Sequence, residues 1–195
     1  SGRPSSTSGV DAHNDLIGMV DMIIDAGVSD IGLESTVVKV LEESVFILRP
    51  GAVTKEMLEK ITHPLPVIFT EDKGKLQFSP GTKYKHYAPR GRLILEVANQ
   101  MAERAFFLQK DGLKVGIITS KKDENKREDL FKIYEPNVFT IGDKNDLEEV
   151  SRNLYSALRF FDTHHVDVIV CESFPEQGIG VAIMDRLKRA SGEGS

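Results

Sequence analysis

The second half of the chain alternates between strand and helix patterns, and this alternation constrains the fold more than any other feature. Apolar residues recur at helical spacing across 146–163, whereas 166–171 is an almost continuous apolar run typical of a buried strand. Similar patterns predict strands at 93–97, 114–118 and 138–141, and helices at 100–108, 127–133 and 179–189. Because strands that alternate with helices form parallel sheets covered by helices, we predict a small Rossmann-like α/β domain at residues 92–195.

The first half of the chain has shorter and less regular patterns. Residues 1–13 are rich in Ser and Gly, which predicts a loop, and a short helical or mixed pattern follows up to Gly27. Two strands joined by an acidic turn are predicted at 37–38 and 45–48. The first half is therefore expected to contribute a few short elements rather than a regular layer.

A change of composition near residue 70 divides the chain. A helix that begins after Thr54 is predicted at 55–61, and the short apolar run that ends at Phe69 gives way to a charged segment. We therefore predict a first unit at 1–70 and a linker at 71–91, ahead of the α/β domain.

The composition is that of an acidic globular protein. Its 195 residues carry a net charge of −5, with both signs spread along the chain, which argues against a generally basic nucleic-acid-binding surface. The single cysteine, Cys171, excludes an intrachain disulfide, suits a reducing cytoplasm and is predicted to lie in the core. No apolar run approaches the roughly 18 residues of a membrane span, so we expect a cytoplasmic protein without a membrane partner. The first residues are typical of the middle of a loop, so we also expect a fragment of a longer protein.

A basic and aromatic segment, SPGTKYKHYAP at 79–89, has a composition that no ordinary structural role requires. Its Pro80-Gly81 pair and Pro89 predict a shaped loop. From Ser79 to Arg92 the chain carries four Lys or Arg and no Asp or Glu. Two interpretations stay open on composition alone: a loop that binds an anion, or a solvated linker between domains.

Small hydroxyls and cations elsewhere in the first half suggest the same anion-binding chemistry. Ser5 and Ser35 lie in segments that leave the backbone accessible. Arg49 ends a predicted strand before Pro50, which suits a guanidinium that presents a rigid fork to phosphate or carboxylate. The alternative for Arg49 is an ion pair with Glu34 or another carboxylate.

Two other features are predicted to be structural. Gly178 and Gly180, between a strand and a helix, resemble a phosphate-binding turn, but the dinucleotide fingerprint is incomplete and a tight turn is the preferred interpretation. His164 and His165 end a long helix with no third ligand near in sequence, so no metal site is predicted.

Five phrases of the sequence, taken in order, resemble a known family. They are SGRPSSTSG at 1–9, GLESTVV at 32–38, ILRPG at 47–51, SPGTKYKHYAP at 79–89 and FPEQGIGVAIMDRLKRA at 174–190. Together they are similar to the successive signatures of threonylcarbamoyl-AMP synthases of the long, two-domain type. The resemblance implies that 1–70 is the C-terminal part of a YrdC-like α/β catalytic domain, that 71–91 is the interdomain linker, and that 92–195 is the Rossmann-like accessory domain.

The resemblance also implies an enzymatic activity, that of a nucleotidyltransferase. The family joins L-threonine, bicarbonate and ATP into threonylcarbamoyl-AMP and releases pyrophosphate. The product serves the N6-threonylcarbamoyladenosine modification of tRNA by a partner transferase, and only weak contact with tRNA itself is expected. Mg2+ would accompany the triphosphate, and no side-chain nucleophile is expected.

The same resemblance implies the residues of the site. By position, Ser35 would contact L-threonine. The contacts to ATP would be made by Ser5, Arg49, Lys83, His86 and Tyr87. In this family the linker folds over the site, so the basic segment would be both a linker and an anion-binding loop.

The chain departs from the family pattern in one respect. In the family, a Lys-x-Arg element and a Ser-x-Asn element precede the phrase SGRPS and complete the substrate site, and neither stands before that phrase in this sequence. A second hypothesis therefore stays open, in which the chain is a non-catalytic nucleotide- or tRNA-binding or regulatory module.

Overall fold

The computed structural model describes residues 4–70, 88–121 and 133–193. Within these ranges the strands form two sheets, one of three strands in the first part of the chain and one of four strands in the second. The division follows the change of composition near residue 70, because the two sheets draw their strands from opposite sides of it.

The first element is a helix, α1, at Gly9–Leu16, so the prediction of a loop over 1–13 is wrong from residue 9 onward. The side chain of Ser8 accepts a hydrogen bond from the backbone N–H of Asp11, which caps the first turn. The helical alternative of the short helical or mixed pattern predicted up to Gly27 is also wrong, because α1 ends at Leu16 and Gly18 adopts a left-handed φ of 77°.

A small mixed sheet follows, built from β1 (Val37–Val40), β2 (Val45–Arg49) and β3 (Val67–Phe69) in that order. β1 and β2 are antiparallel, whereas β2 and β3 are parallel. Helix α2, Lys55–Thr62, connects the parallel pair, and Thr54 caps it by accepting from the N–H of Met57. The predicted strands and the capped helix are confirmed.

The second sheet has the order β4-β7-β5-β6 and all its pairs are parallel. In chain order, its elements are β4 (Arg92–Glu96), α3 (Met101–Lys110), β5 (Val115–Lys121), β6 (Val138–Asp143), α4 (Leu147–His164), β7 (Val168–Glu172) and α5 (Gly180–Ser191). The predicted parallel α/β domain of four strands is confirmed. The helix predicted at 127–133 lies, apart from its last residue, outside the described residues.

Helices cover both faces of the parallel sheet. This is shown by neighbouring residues of its central strands, which pack into two different apolar clusters. Ile169 and Cys171 of β7 pack with α4 and α5, whereas Val168 and Val170 pack with α3. Cys171 is fully buried, and burial raises the pKa of its thiol, so its predicted place in the core is confirmed. Leu33, from the first part of the chain, belongs to the same cluster as α4 and α5.

Between α1 and β1 the chain carries a group of apolar side chains that face solvent. The most exposed are Ile17, Met19, Met22, Ile24 and Val28, each at least 64% exposed. Among the described residues, no helix is both long and apolar enough to cross a membrane.

Phe161 of α4 provides a test of the apolar core of the parallel α/β domain. Its side chain is 0% exposed, and a Cβ atom added at Gly116 would lie 2.5 Å from its ring. We expect Phe161→Ala to lower the free energy of unfolding by about 3–5 kcal/mol, because it removes apolar contacts and leaves a cavity. Chemical denaturation followed by circular dichroism measures the change.

The matched control is Phe106→Ala on α3, where the ring is 58% exposed. We expect this variant to stay within about 1 kcal/mol of the wild type. Equal losses in the two variants would contradict the assignment of the core.

Candidate functional site

Two short loops of the first part meet at the ends of the small sheet, and glycines allow them to touch. A Cβ atom at Gly51 would lie 2.4 Å from the backbone nitrogen of Thr36 and 2.5 Å from the carbonyl oxygen of Glu34. A Cβ atom at Gly32 would lie 2.4 Å from the carbonyl oxygen of Ser151 on α4. Only glycine permits these approaches, so the loop 32–36 lies between the loop 49–51 and the α/β domain.

Ser35 and Arg49, the two residues predicted for different substrates, contact each other. Arg49 is the last residue of β2, and its Nε donates to the carbonyl oxygen of Ser35 at 3.1 Å. Its Nη2 donates to the Ser35 hydroxyl at 3.2 Å. In the described part of the chain no carboxylate forms a salt bridge with Arg49, and the predicted alternative partner, Glu34, pairs with another arginine.

Glu34 is the centre of a cluster that joins the two parts of the chain, which we call the Glu34 cluster: Glu34, Ser5, Tyr155 and Arg186. The Ser5 hydroxyl donates to Oε1 of Glu34 at 2.8 Å. The Tyr155 hydroxyl donates to Oε2 at 2.6 Å, and Nε of Arg186 donates to the same oxygen at 2.9 Å. Burial raises the pKa of Glu34, but the hydrogen bonds from Tyr155 and Arg186, the charge of Arg186 and the Ser5 bond outweigh it, and the pKa falls to about 2.

Arg186 lies on α5 and is completely buried. Besides Glu34, it contacts the loop 49–51, because its Nη2 donates to the carbonyl oxygen of Pro50 at 2.9 Å. Its Nη1 donates to the carboxylate of Asp185 on its own helix. Burial lowers the pKa of Arg186, but electrostatic interactions with Tyr155, Asp185 and Glu34 outweigh this and raise it. The guanidinium is therefore charged at every accessible pH.

A second arginine of the α/β domain, Arg159 on α4, holds the beginning of the described chain. Its Nη2 donates to the carbonyl oxygen of Pro4, and its Nε donates to that of Ser5 at 3.4 Å. Two of its nitrogens also donate to the carboxylate of Asp15 at 3.1 and 2.6 Å. The hydrogen bonds that Arg159 donates to Asp15 raise its pKa. Arg159 therefore fixes the segment that carries Ser5.

Of the six residues predicted for the site, the structure places three in one region. Ser5 contacts Glu34, and Ser35 next to Glu34 contacts Arg49. Lys83, His86 and Tyr87 lie outside the described residues. The roles of all six toward substrates stay predictions.

Arg186 and Tyr155 are not among the residues predicted from the sequence, although each carries a signal. Ile183, Leu187 and Ala190 form the buried face of α5, and Arg186 falls on that face. Tyr155 similarly lies among the buried residues of α4. A charged or polar side chain at the helical spacing of the core needs an internal partner, and that requirement identifies both residues.

The described residues offer little for a metal ion. No group of three His, Cys, Asp or Glu is positioned to hold one in the ranges that the structure covers. The Glu34 carboxylate already accepts from Ser5, Tyr155 and Arg186.

A cleft of about 670 Å³ lies between α1 and α4. Its lining includes Asp11 and Asp15 from α1, Arg159 and Phe160 from α4, and Arg90. Arg159 in this lining is already paired with Asp15. The cleft is distinct from the contact between Ser35 and Arg49, since neither residue lines it.

The fold and the site together define a class of protein. A parallel α/β domain supports short loops that present a hydroxyl and a guanidinium, groups that bind carboxylates and phosphates. The chain is an α/β protein with a candidate anion-binding site at the contact between its two parts.

Comparison with known proteins identifies the family. Residues 53–192 match the family model described as the C-terminal domain of threonylcarbamoyl-AMP synthase. The chain therefore belongs to the threonylcarbamoyl-AMP synthase C-terminal domain family, as its sequence phrases predict.

Curated relatives and a solved structure agree with this family. The chain is 38% identical to the threonylcarbamoyl-AMP synthase of Bacillus subtilis and 37% identical to that of Pyrococcus abyssi. Each match covers 98% of this chain and 55% of the relative. The crystal structure of P. abyssi Sua5 complexed with L-threonine superposes with a TM-score of 0.80 at 36% identity, over 98% of this chain and 55% of that one. The chain thus spans about half the length of the curated relatives it matches.

The low pKa of Glu34 makes the stability of the Glu34 cluster depend on pH. The pKa is about 2 in the folded protein and 4.5 ordinarily, so the ionised form stabilises the fold above pH 4.5. This contribution is lost as the pH falls from 4.5 toward 2. We expect Glu34→Gln to lower the free energy of unfolding at pH 7 by on the order of 2 kcal/mol, since partial exposure screens the ion pair.

Urea titrations at several pH values measure this dependence. The difference between the wild type and Glu34→Gln should shrink as the pH falls below 4.5. The control is Glu59→Gln, which removes an exposed i,i+4 pair with Lys55 and should change stability by less than about 0.5 kcal/mol. A difference for Glu34→Gln that does not vary with pH would contradict the assigned pKa.

Proposed function

We propose that this chain provides the C-terminal part of a threonylcarbamoyl-AMP synthase, a nucleotidyltransferase that acts in tRNA modification. The observation that carries the proposal is the contact between Ser35 and Arg49, within the phrases GLESTVV and ILRPG of a chain that belongs to this family. The P. abyssi relative, whose structure is described as complexed with L-threonine, supports threonine as a substrate.

The proposed reaction forms a mixed anhydride. L-threonine and bicarbonate form the N-carboxylate of threonine with loss of water. A carboxylate oxygen of that group then attacks the α-phosphorus of ATP, and the bond to pyrophosphate breaks. Negative charge develops on the phosphate oxygens, so fixed N–H and O–H donors accelerate the reaction without a protein nucleophile.

The proposed roles follow the family positions. Ser35 contacts L-threonine and Arg49 contacts the nucleotide. Ser5, Lys83, His86 and Tyr87 complete the ATP contacts, and the basic linker excludes water from the reactive intermediates when it lies over the site. Mg2+ travels with the triphosphate. The product passes to a tRNA-modifying transferase in the cytoplasm.

The proposal is tested by measuring threonine-, bicarbonate- and ATP-dependent release of pyrophosphate, with the adenylate product identified by mass spectrometry. One arm uses the chain alone. A second arm adds the part of the B. subtilis relative that this chain does not span. Product in either arm supports the proposal. Tight binding of ATP or tRNA with no product in either arm would instead favour a non-catalytic binding module.

Substitutions at the two contacting residues test their roles. We expect Arg49→Ala to lower kcat by a factor of about 10²–10³, which is the usual cost of removing a hydrogen-bond donor to charge that develops in the transition state. We expect Ser35→Ala to raise the KM for threonine about 10-fold, because one hydrogen bond to the substrate is lost. Steady-state kinetics measures both effects.

Two exposed residues supply controls of the same type. Arg104→Ala on α3 and Ser29→Ala remove a guanidinium and a hydroxyl that are exposed to solvent. Both variants should keep the wild-type kinetics. Unchanged kinetics in Arg49→Ala and Ser35→Ala would overturn the assigned site.

A further inference from the structure

Arg186 belongs to the α/β domain, yet it touches both loops that carry the proposed substrate contacts. We propose that Arg186 is a positioning residue for adenylate formation. From its place on α5, it holds Ser35 and Arg49 at the distance from each other that the reaction requires. This inference rests on the proposed function and adds a role for the second domain in the chemistry.

The geometry of one guanidinium carries the inference. Nε of Arg186 donates to Glu34, the residue immediately before Ser35, at 2.9 Å. Nη2 of Arg186 donates to the carbonyl oxygen of Pro50, the residue immediately after Arg49, at 2.9 Å. Because the guanidinium is planar and rigid, the two bonds fix the distance between the two loops.

The loops cannot adjust independently of this bridge. The backbone of the loop 49–51 lies directly against the loop 32–36, where Gly51 leaves no room for a side chain. A shift of Glu34 or Pro50 therefore moves both loops, and with them the hydrogen bonds between Arg49 and Ser35. Misplacement of reacting groups by about 1 Å can cost about 100-fold in rate.

Arg186 does not act on a substrate directly. It is 0% exposed, and it also donates to the carboxylate of Asp185 on its own helix. Stability alone is a weak reason for such a group, since replacing a buried ion pair by apolar residues is often neutral. The planar guanidinium fixes the distance between the two loops, which an apolar side chain could not do.

The test compares three variants in the arm of the pyrophosphate assay that forms product. Arg186→Met keeps the length of the side chain and removes both bonds. Arg186→Lys keeps the charge beside Glu34 but lacks the planar fork that also reaches Pro50. Lys188→Gln is the control, because Lys188 lies on the same helix in an exposed pair with Glu176.

We expect Arg186→Met to lower kcat about 100-fold and to raise the KM for threonine about 10-fold, with Arg186→Lys between it and the wild type. Lys188→Gln should match the wild type. In Arg186→Met, amide hydrogen exchange should become faster in peptides that contain 32–36 and 47–51, and should stay unchanged in α3. A purely structural role would not produce this combination in a protein whose circular dichroism is unchanged.

The outcomes separate this inference from the proposed function. Wild-type kinetics and exchange in a folded Arg186→Met protein would overturn the positioning role while the proposed function stands. If Arg186→Met fails to fold, Arg186→Lys provides the test. Unchanged kinetics in a folded Arg186→Lys protein would overturn the positioning role, whereas a raised KM for threonine would support it. No product from the wild type in any arm overturns the proposed function and this role with it.

Discussion

The buried charge of Arg186 is the constraint on which the contact between the two parts of the chain depends. A guanidinium removed from water is tolerated only when its N–H groups find acceptors inside the protein. Here the acceptors come from its own helix and from two loops of the first part, the carboxylate of Glu34 and the carbonyl oxygen of Pro50. The carboxylate in turn is satisfied by Tyr155 and Ser5. The loops, α4 and α5 must therefore assemble together, and the candidate site forms where they meet.

The fold was predicted well where periodicity and burial agree. In the parallel domain, apolar runs become strands and apolar stripes become helices, because those residues do enter the core. The pattern after Leu16 misled because its side chains, such as Met19 and Ile24, are exposed. Helix α1 was missed because its composition resembles a loop. It depends on a local hydrogen bond, that of Asp11 to Ser8, rather than on an apolar face.

The site was predictable only in part. Sequence phrases predicted Ser35 and Arg49 as substrate contacts, and the structure shows that the two side chains contact each other. Nothing local could connect Glu34 with Arg186, which are 152 positions apart, because their pairing depends on how two separately formed units pack. The missed signal was a charge on the apolar face of α5. It shows that Arg186 needs a partner inside the protein, but it does not name the partner.

The pairing of Glu34 with Arg186 also limits how this protein can evolve. A lineage that replaces the pair must change one member first. That intermediate loses about 2 kcal/mol where the new side chain still accepts or donates hydrogen bonds, and about 3–5 kcal/mol where it leaves the other charge buried without a partner. Folded domains have only about 5–15 kcal/mol of stability in total, so most such intermediates lie close to unfolding. The two positions are expected to vary together or not at all. The contact between the two parts of the chain therefore restricts which single substitutions the protein can accept during evolution.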